Sequence, residues 1–158
     1  MSNGDSVTFE FTRHVRDRCL CLHVQRAARA LARRFDDALR PLQLSQGQFS
    51  LLMSLNRPEP PTIGSVASLL AMDRTTLTAA LKPLARRSLV KIVVDEADRR
   101  NRRLLLTAAG RARLTAAMPI WTGTHAEIER DLPRDTSEKS TSDKERAEAL
   151  REDLRALS

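Results

Sequence analysis

Apolar residues recur at helical spacing along most of this chain, and the pattern predicts a mainly α-helical protein. From about Thr12 to Arg40 they step by four and three positions, which predicts one long helix with a single apolar stripe. Pro41 is expected to end that helix. The stripe consists of Val24, Ala28, Leu31, Phe35 and Ala38. It also contains Cys21, which this position predicts to be a small buried apolar side chain.

A shorter helix is predicted to follow. Ser45 and Gln48 have the spacing of a capping box, in which each residue satisfies a backbone N–H of the other. The helix that they open is expected to turn Phe49, Leu52 and Met53 inward.

The middle of the chain changes from helical to strand patterning. Thr62 is expected to cap a short helix, and another helix should begin at about Asp73. The apolar, β-branched segment 89–94 and the segment 102–106 predict two strands of a hairpin. Thr107 is expected to cap a long helix that reaches about residue 131.

The C-terminal part predicts one more helix. Residues 132–142 are polar and interrupt the pattern, and residues 144–157 are again amphipathic. The predicted fold class is therefore mainly α with a small β-hairpin: a winged helix-turn-helix domain with a helical region at both termini.

The helix that begins near Asp73 has the composition of a DNA-reading helix. Leu77, Leu81 and Leu84 give it one apolar side. Short hydroxyls and cations, which suit phosphates and base edges in a major groove, occupy the remaining positions. The candidate DNA-contacting residues there are Arg74, Thr75, Thr76, Thr78 and Lys82. A solvated helix face is the alternative, but threonine is a poor choice for a merely exposed helix.

Arginines cluster at the predicted hairpin tip. Arg99, Arg100, Arg102 and Arg103 crowd like charge together, which favours a polyanion as partner. Alternation along a strand sends Arg102 and Arg103 to opposite faces, so Arg99, Arg100 and Arg102 are the candidates for DNA contact, and Arg103 is expected to be structural.

The distribution of charge supports a nucleic-acid partner. The chain has a net charge of +7. Residues 41–116 hold 12 Lys/Arg against 5 Asp/Glu, a net of +7, and the rest holds 15 of each sign. The entire excess therefore lies on the predicted DNA-binding segment. No apolar run approaches a membrane span and no signal peptide is evident, so we expect a cytoplasmic protein with no membrane partner. No catalytic or phosphate-loop motif is evident, so neither an enzyme nor a cofactor is predicted.

These motifs together resemble the MarR family of bacterial transcription regulators over roughly residues 19–128. The resembling segments are Leu44-x3-Gln48-Phe49-x-Leu51-Leu52, then Met72 to Thr78, then Leu84-x-Arg86-Arg87-x-Leu89-Val90, and finally Asp98-Arg99-Arg100 with Leu106-Thr107-x2-Gly110. Ser88 departs from the pattern, because the family usually has a glycine there, and a strained backbone is expected at that turn.

The resemblance implies a homodimer that binds a pseudo-palindromic DNA operator and usually acts as a repressor. It implies a helical dimerisation region over residues 10–40 and 117–158, and a winged helix-turn-helix domain over residues 41–116. It also implies that Asp98 anchors an arginine and that Arg100 enters the minor groove. Release by a small ligand or an oxidant would be the switch.

Two kinds of switch remain open from the sequence. An apolar or aromatic effector would bind in a crevice whose candidate lining residues are His23, Phe35, Met53 and Trp121. The alternative is a redox or metal response at Cys21, whose spacing to Arg29 is similar to that in the peroxide-sensing OhrR branch. The chain has no tyrosine to activate this thiol. On one continuous helix Cys19 and Cys21 could neither share a metal ion nor form a disulfide without unwinding, and no metal site is predicted.

Overall fold

Seven helices and one β-hairpin make up the part of the chain that the computed structural model describes, residues 7–132 and 142–157. In chain order they are α1 (Phe9–Arg18), α2 (Leu20–Leu39), α3 (Gln46–Ser54), α4 (Ile63–Leu69), α5 (Arg74–Arg86), β1 (Val90–Val94), β2 (Arg102–Leu106), α6 (Ala108–Asp131) and α7 (Asp143–Arg155). The predicted fold class is confirmed, and so is the order of elements from α3 onward.

The prediction of one long N-terminal helix is wrong, because the chain leaves the helical conformation at Cys19. This residue has φ −72° and ψ 104°, and it separates α1 from α2. The Leu22 backbone N–H donates to Cys19 Sγ over 3.4 Å, so the side chain caps α2 in place of a backbone carbonyl. The sequence around Cys19 contains no proline or glycine that would have predicted this break.

Capping residues begin the next helices where the pattern predicted. Ser45 and Gln48 form the expected capping box at α3. Before it, Pro41 lies in a short 3-10 turn, Arg40–Leu42. Asp36 of α2 accepts a hydrogen bond from the Gln46 backbone N–H over 2.6 Å, which fastens the start of α3 to α2. On α3 the side chains of Phe49 and Leu52 are buried as expected, but Met53 is 46% exposed, so its predicted inward position is wrong.

One apolar core joins α2, α3, α4, α5, the hairpin and α6. Leu39, Leu52, Leu77, Leu81, Leu84 and Leu104 have no exposed surface. Burying a leucine side chain contributes about 1.5–3 kcal/mol of stability, so the three leucines of α5 hold that helix firmly against the core. Its polar side consequently has a fixed orientation.

The hairpin follows α5 through a strained turn. Ser88 has φ +57°, a left-handed conformation that favours glycine, which confirms the strain expected from the sequence. β1 pairs with β2 antiparallel in the register Val90 to Leu106 through Val94 to Arg102. The hairpin is anchored to the α3–α4 loop, because the Leu104 backbone N–H donates to the Pro61 carbonyl over 2.9 Å.

Helix α6 starts against the α5–β1 turn. Thr107 caps it, and the Thr107 hydroxyl also contacts the carbonyl oxygens of Ser88 and Leu89 at 2.7 and 3.0 Å. Gly110 lies so close to this turn that an added Cβ would be 2.1 Å from the Leu89 carbonyl oxygen. The Thr107–Gly110 motif therefore fixes the angle between α6 and the hairpin.

The terminal helices leave apolar side chains uncovered within one chain. Val24 and Leu31 of α2, and Leu150 and Leu154 of α7, are exposed, whereas Ala147 of α7 is buried. Most of the interrupting segment predicted over residues 132–142 lies outside the described residues. None of the described helices is long and apolar enough to cross a membrane.

Candidate nucleic-acid interface

Helix α5 presents one continuous line of side chains away from the core. Because the buried leucines fix one side of the helix, the residues on the opposite side are set by the 3.6-residue period. They follow one another at spacings of four, three and four residues, and all are exposed. We call them the outward face of α5: Thr75, Ala79, Lys82 and Arg86. The sequence analysis identified Thr75 and Lys82 but missed Ala79 and Arg86 as members of this face.

The threonines predicted to contact DNA have different environments. The Thr76 hydroxyl donates to Asp73 Oδ2 over 2.6 Å, and the Thr78 hydroxyl donates to the Arg74 carbonyl over 2.7 Å. No described residue hydrogen-bonds to the Thr75 hydroxyl. Among the three, Thr75 is therefore the one whose hydroxyl proton is uncommitted.

The first turn of α5 is organised by its cap. Asp73 Oδ1 accepts the Thr76 backbone N–H over 2.8 Å, as expected for an N-cap. The hydrogen bonds from the Thr76 hydroxyl and backbone N–H hold the pKa of the Asp73 carboxyl below its ordinary value. Arg74 extends towards α4, since a Cβ added to Gly64 would lie 3.0 Å from Arg74 Nη2. Arg74 therefore lies at the edge of the outward face rather than on it.

The hairpin tip is shaped by Asp98. Its Oδ1 accepts the Arg100 backbone N–H over 3.0 Å, and its Oδ2 accepts the Asn101 side-chain N–H over 3.1 Å. The Arg100 side chain is 96% exposed, with its Nε 3.9 Å from Asp98 Oδ1. The expected anchoring of an arginine by Asp98 is thus only a loose contact, and the carboxylate mainly holds the turn that displays Arg100.

The tight arginine anchor of the hairpin is Asp95, which the sequence analysis did not identify. Arg103 Nε donates to Asp95 Oδ2 over 2.9 Å, and Arg103 Nη1 donates to the Pro60 carbonyl over 2.9 Å. The Asp95 side chain is only 8% exposed. Arg103 thereby ties both ends of the hairpin tip to the α3–α4 loop, which is the structural role expected for it.

Of the other arginines near α5 and the hairpin tip, some are exposed to solvent and others hydrogen-bond to backbone carbonyls. Arg102 Nη1 donates to the carbonyls of Arg99 and Asn101 at 3.0 and 3.2 Å and curls over the turn. Arg99 is exposed beside Arg100. Arg87 is half-buried, and its Nη1 donates to the Gln43 carbonyl over 2.7 Å, so it links the end of α5 to the turn before α3. Exposed cations thus lie on α5 and at the hairpin tip.

The proposed effector crevice is only partly assembled within one chain. The Trp121 ring of α6 stacks with the rings of Phe49 and His125, at ring-centroid distances of 6.3 and 4.7 Å. Phe35 belongs to the same buried core, and Met53 lies one turn beyond Phe49 on α3. His23 lies twelve residues before Phe35 on α2, roughly 18 Å along the helix axis, so one chain does not bring it into a cavity with the others. Phe49 was missed as a neighbour of Trp121.

The cysteines lie differently from the prediction. Cys21 is exposed rather than buried. Gln25 Nε2 donates to Cys21 Sγ over 3.2 Å, and Arg29 Nη2 donates to Gln25 Oε1 over 3.2 Å. Because Cys19 is already outside the helical conformation, the argument that a Cys19–Cys21 disulfide requires unwinding of a helix no longer holds. Across the described residues no three His, Cys, Asp or Glu side chains form a group that could hold a metal ion.

The comparisons agree with this geometry. The MarR family model matches residues 44–101, which contain α3, α4, α5, β1 and the hairpin tip. A search of curated proteins finds no match.

Solved structures match over most of the chain. The transcriptional regulator MosR of M. tuberculosis, solved in complex with DNA, is 34% identical with a TM-score of 0.74, over 88% of this chain and 92% of that one. The repressor CouR bound to p-coumaroyl-CoA is 25% identical with a TM-score of 0.70, over 89% and 92%. BpsR of Bordetella bronchiseptica, studied for regulation of its DNA binding by 6-hydroxynicotinic acid, is 21% identical with a TM-score of 0.72 and shows the fold alone, over 96% of each chain.

The fold is a winged helix-turn-helix with an exposed cationic helix, the MarR family model matches it, and MosR is similar over nine-tenths of its own length. This chain therefore belongs to the MarR family of DNA-binding transcription regulators.

Proposed function

We propose that the protein is a homodimeric repressor that binds a pseudo-palindromic operator and releases it when a small apolar or aromatic molecule binds. The observation that carries this proposal is the outward face of α5 together with the exposed hairpin tip. The whole net charge of +7 belongs to residues 41–116, and residues 73–87 and 95–103, which contain α5 and the hairpin tip, hold +4 of it. MosR and CouR, which share the fold, were solved with DNA.

In this proposal α5 enters the major groove and the hairpin tip reaches the adjacent minor groove. Residues 41–116 are proposed as the winged DNA-binding domain. Arg100 is the residue expected to insert into the minor groove, with Arg99 beside it, because a narrow minor groove attracts arginine. Lys82 and Arg86 lie further along α5, where phosphates and base edges are both within reach.

Salt dependence and one substitution test this division. The logarithm of the affinity should fall with the logarithm of the salt concentration with a slope of about −0.9 per neutralised phosphate. Arg100→Ala should weaken operator binding by roughly 1–3 kcal/mol. Thr75→Ala should reduce the ratio of specific to non-specific binding, whereas Thr78→Ser, which keeps its internal hydrogen bond, is the matched control. A correctly folded Arg100→Ala protein with unchanged affinity would contradict the wing assignment.

The dimer proposal rests on the uncovered apolar side chains of the terminal helices. Residues 10–40 and 117–158 are proposed as the dimerisation region, because Val24, Leu31, Leu150 and Leu154 remain 39–44% exposed within one chain and a second copy would bury them. Removing residues 144–158 should give a monomer or an aggregate that has lost specific DNA binding.

A gentler variant separates folding from association. Leu150→Glu with Leu154→Glu changes two side chains that are exposed in the single chain, so the monomer should still fold. Sedimentation should then show a monomer, whereas Glu152→Gln, on the polar side of α7, should remain dimeric. A Leu150→Glu/Leu154→Glu protein that stays dimeric and keeps operator affinity refutes this interface.

The effector proposal centres on Trp121. Its ring lies at the junction of α3 and α6, between the DNA-binding domain and the terminal helices. An apolar or aromatic molecule in the crevice beside Phe35, Met53 and Trp121 would change the distance between the two winged domains of the dimer. The two copies of α5 would then no longer fit half-sites one helical turn apart. To release DNA, the effector must bind the DNA-free form of the dimer more tightly than the DNA-bound form, typically by about 1–3 kcal/mol. Quenching of Trp121 fluorescence that parallels release of DNA would support this site, and release with no change in Trp121 emission would argue against it.

A thiol switch is the second candidate, and the exposed Cys21 favours it. An organic hydroperoxide would oxidise the Cys21 thiol to a sulfenic acid and leave as the alcohol. The Cys19 thiol could then attack the sulfenic sulfur, forming a disulfide and releasing water. We still prefer the small-molecule effector, since no tyrosine is present to activate the thiol.

The two switches separate in one experiment. DNA release is followed by gel shift after addition of stoichiometric organic hydroperoxide to the wild type and to Cys21→Ser and Cys19→Ser proteins. Under the effector proposal all three stay bound. If hydroperoxide releases the wild type but not Cys21→Ser, the redox alternative replaces it.

A further inference from the structure

The outward face of α5 carries only small side chains where it should approach DNA most closely. Base contacts come mainly from the N-terminal part of a recognition helix. In this part the outward face consists of Thr75 and Ala79, and the longer Lys82 and Arg86 follow only in the later turns. A helix with these two side chains in front can lie deep in the groove.

We propose that each half-site of the operator contains a thymine whose C5 methyl group packs against Ala79 Cβ and the Thr75 methyl group. This inference rests on the proposed function, namely that α5 lies in the major groove. Thymine is the base that presents a methyl group there, and alanine and threonine are the residues that contact it through their own methyl groups. The operator is thereby assigned a chemical feature, an apolar contact to thymine, in addition to hydrogen bonds.

The spacing of the two residues fits such a contact. Thr75 and Ala79 are four residues apart on one side of the helix, about 6 Å along the axis at 1.5 Å per residue. Successive bases rise 3.4 Å per step, so the pair spans about two base-pair steps. One methyl group can therefore lie between both side chains.

The neighbouring side chains are poorer candidates for the same role. Thr76 and Thr78 each lie roughly 60–100° around the helix from Thr75 and Ala79, so their methyl groups are not on the outward face. Arg74 itself reaches over Gly64 of α4. Ala80 is half-buried on the side that faces α3. Ala79 is thus the exposed alanine at the centre of the face.

The test removes one methyl group from either partner. The full-length protein first selects duplexes from a randomised 30-base-pair pool. In one enriched duplex, each symmetric pair of thymines is then replaced by uracil, which pairs identically but lacks the C5 methyl. One pair should be sensitive, with affinity falling roughly fourfold per half-site, the fold-change that corresponds to about 0.8 kcal/mol for one buried methyl-sized group.

Ala79→Gly should reduce the difference between the thymine and uracil duplexes, because only the Thr75 methyl group then remains to contact the thymine. Ala80→Gly carries the same cost to helix propensity in the same turn, and it should keep the full difference. Thr75→Ser retains the hydroxyl and loses the methyl, so it should reduce the difference without abolishing it. Far-UV circular dichroism verifies that each variant is folded.

Each possible result either supports or refutes the methyl contact. If no thymine is sensitive to the replacement, or if Ala79→Gly discriminates as well as the wild type, the methyl contact is refuted while DNA recognition by α5 stands. If the pool yields no enriched sequence, the proposed operator recognition fails, and the methyl contact with it.

Discussion

Replacing Gly110 by alanine should be far more damaging than a single methyl group suggests. The added Cβ would lie 2.1 Å from the Leu89 carbonyl oxygen and 2.8 Å from Leu106 Cδ1. A leucine side chain can rotate away, but the Leu89 carbonyl belongs to the backbone immediately before β1. The same carbonyl accepts the Thr107 backbone N–H over 3.1 Å and its hydroxyl over 3.0 Å. To admit the methyl group, α6 must move away from this turn.

The cost follows from three contributions. Overpacking against a rigid neighbour destabilises by about 1–3 kcal/mol. Weakening two hydrogen bonds from Thr107 to the Leu89 carbonyl adds about 0.5–1.5 kcal/mol each. Alanine regains about 1 kcal/mol over glycine within a helix. The free energy of unfolding should therefore fall by about 1–5 kcal/mol, with a central value of about 3 kcal/mol. Since a chain of this size loses roughly 2–4 °C per kcal/mol, the central value corresponds to a fall in melting temperature of about 6–12 °C.

Gly123 provides the matched control, because it lies in the same helix and a Cβ there would meet no atom within 4 Å. Gly123→Ala should raise stability by up to about 1 kcal/mol. Urea unfolding of the three proteins at one concentration, monitored by circular dichroism, measures both changes, and the concentration must be equal because a dimer's stability depends on it. Equal stability of Gly110→Ala and Gly123→Ala would refute the close-approach argument.

Three further changes probe the wing, the turn and the helix cap. Arg103→Ala leaves the buried Asp95 carboxylate without its partner. The free energy of unfolding in urea should fall by about 1–3 kcal/mol, a range discounted for the partly exposed guanidinium. Arg102→Ala removes the same charge from the exposed side of the hairpin and should lower the free energy of unfolding little. Ser88→Gly should stabilise by about 0.5–1 kcal/mol in the same assay, because glycine relieves the positive φ; destabilisation would contradict this. Because folding lowers the pKa of Asp73, this carboxylate stabilises the fold above its unfolded-state pKa, and the stabilisation is lost as the pH falls through the folded-state pKa. Asp73→Asn should therefore lose less stability than the wild type on acidification from about pH 5 to 3.

The sequence predicted those elements whose signals are local. Ser45, Thr62, Asp73 and Thr107 each cap a helix where expected, because a side-chain oxygen and the apolar period after it mark a helix start together. The second strand, 102–106, also has the predicted bounds, because strand patterning between turn residues is likewise a local signal. These features depend on neighbours within a few residues.

The misses depend on long-range geometry or on weak local signals. Asp95 resembled a turn residue, and only the fold brings it against Arg103 and the α3–α4 loop. The break at Cys19 rests on a sulfur acceptor, a weaker helix-capping group than the oxygens that sequence rules use. The positions of Thr76 and Thr78 were foreseen, but their internal hydrogen bonds, which leave Thr75 as the free hydroxyl, were not.

A hydroxyl-radical footprint of the full-length protein on a selected duplex tests the central claim most directly. Two copies of α5 in successive major grooves should protect two blocks related by a two-fold axis, with centres 10–10.5 base pairs apart or a multiple of that spacing. Arg100→Ala should lose protection in the flanking minor grooves while the two blocks remain. A single protected block, or protection that is unchanged when the outward face of α5 is substituted, would contradict the account.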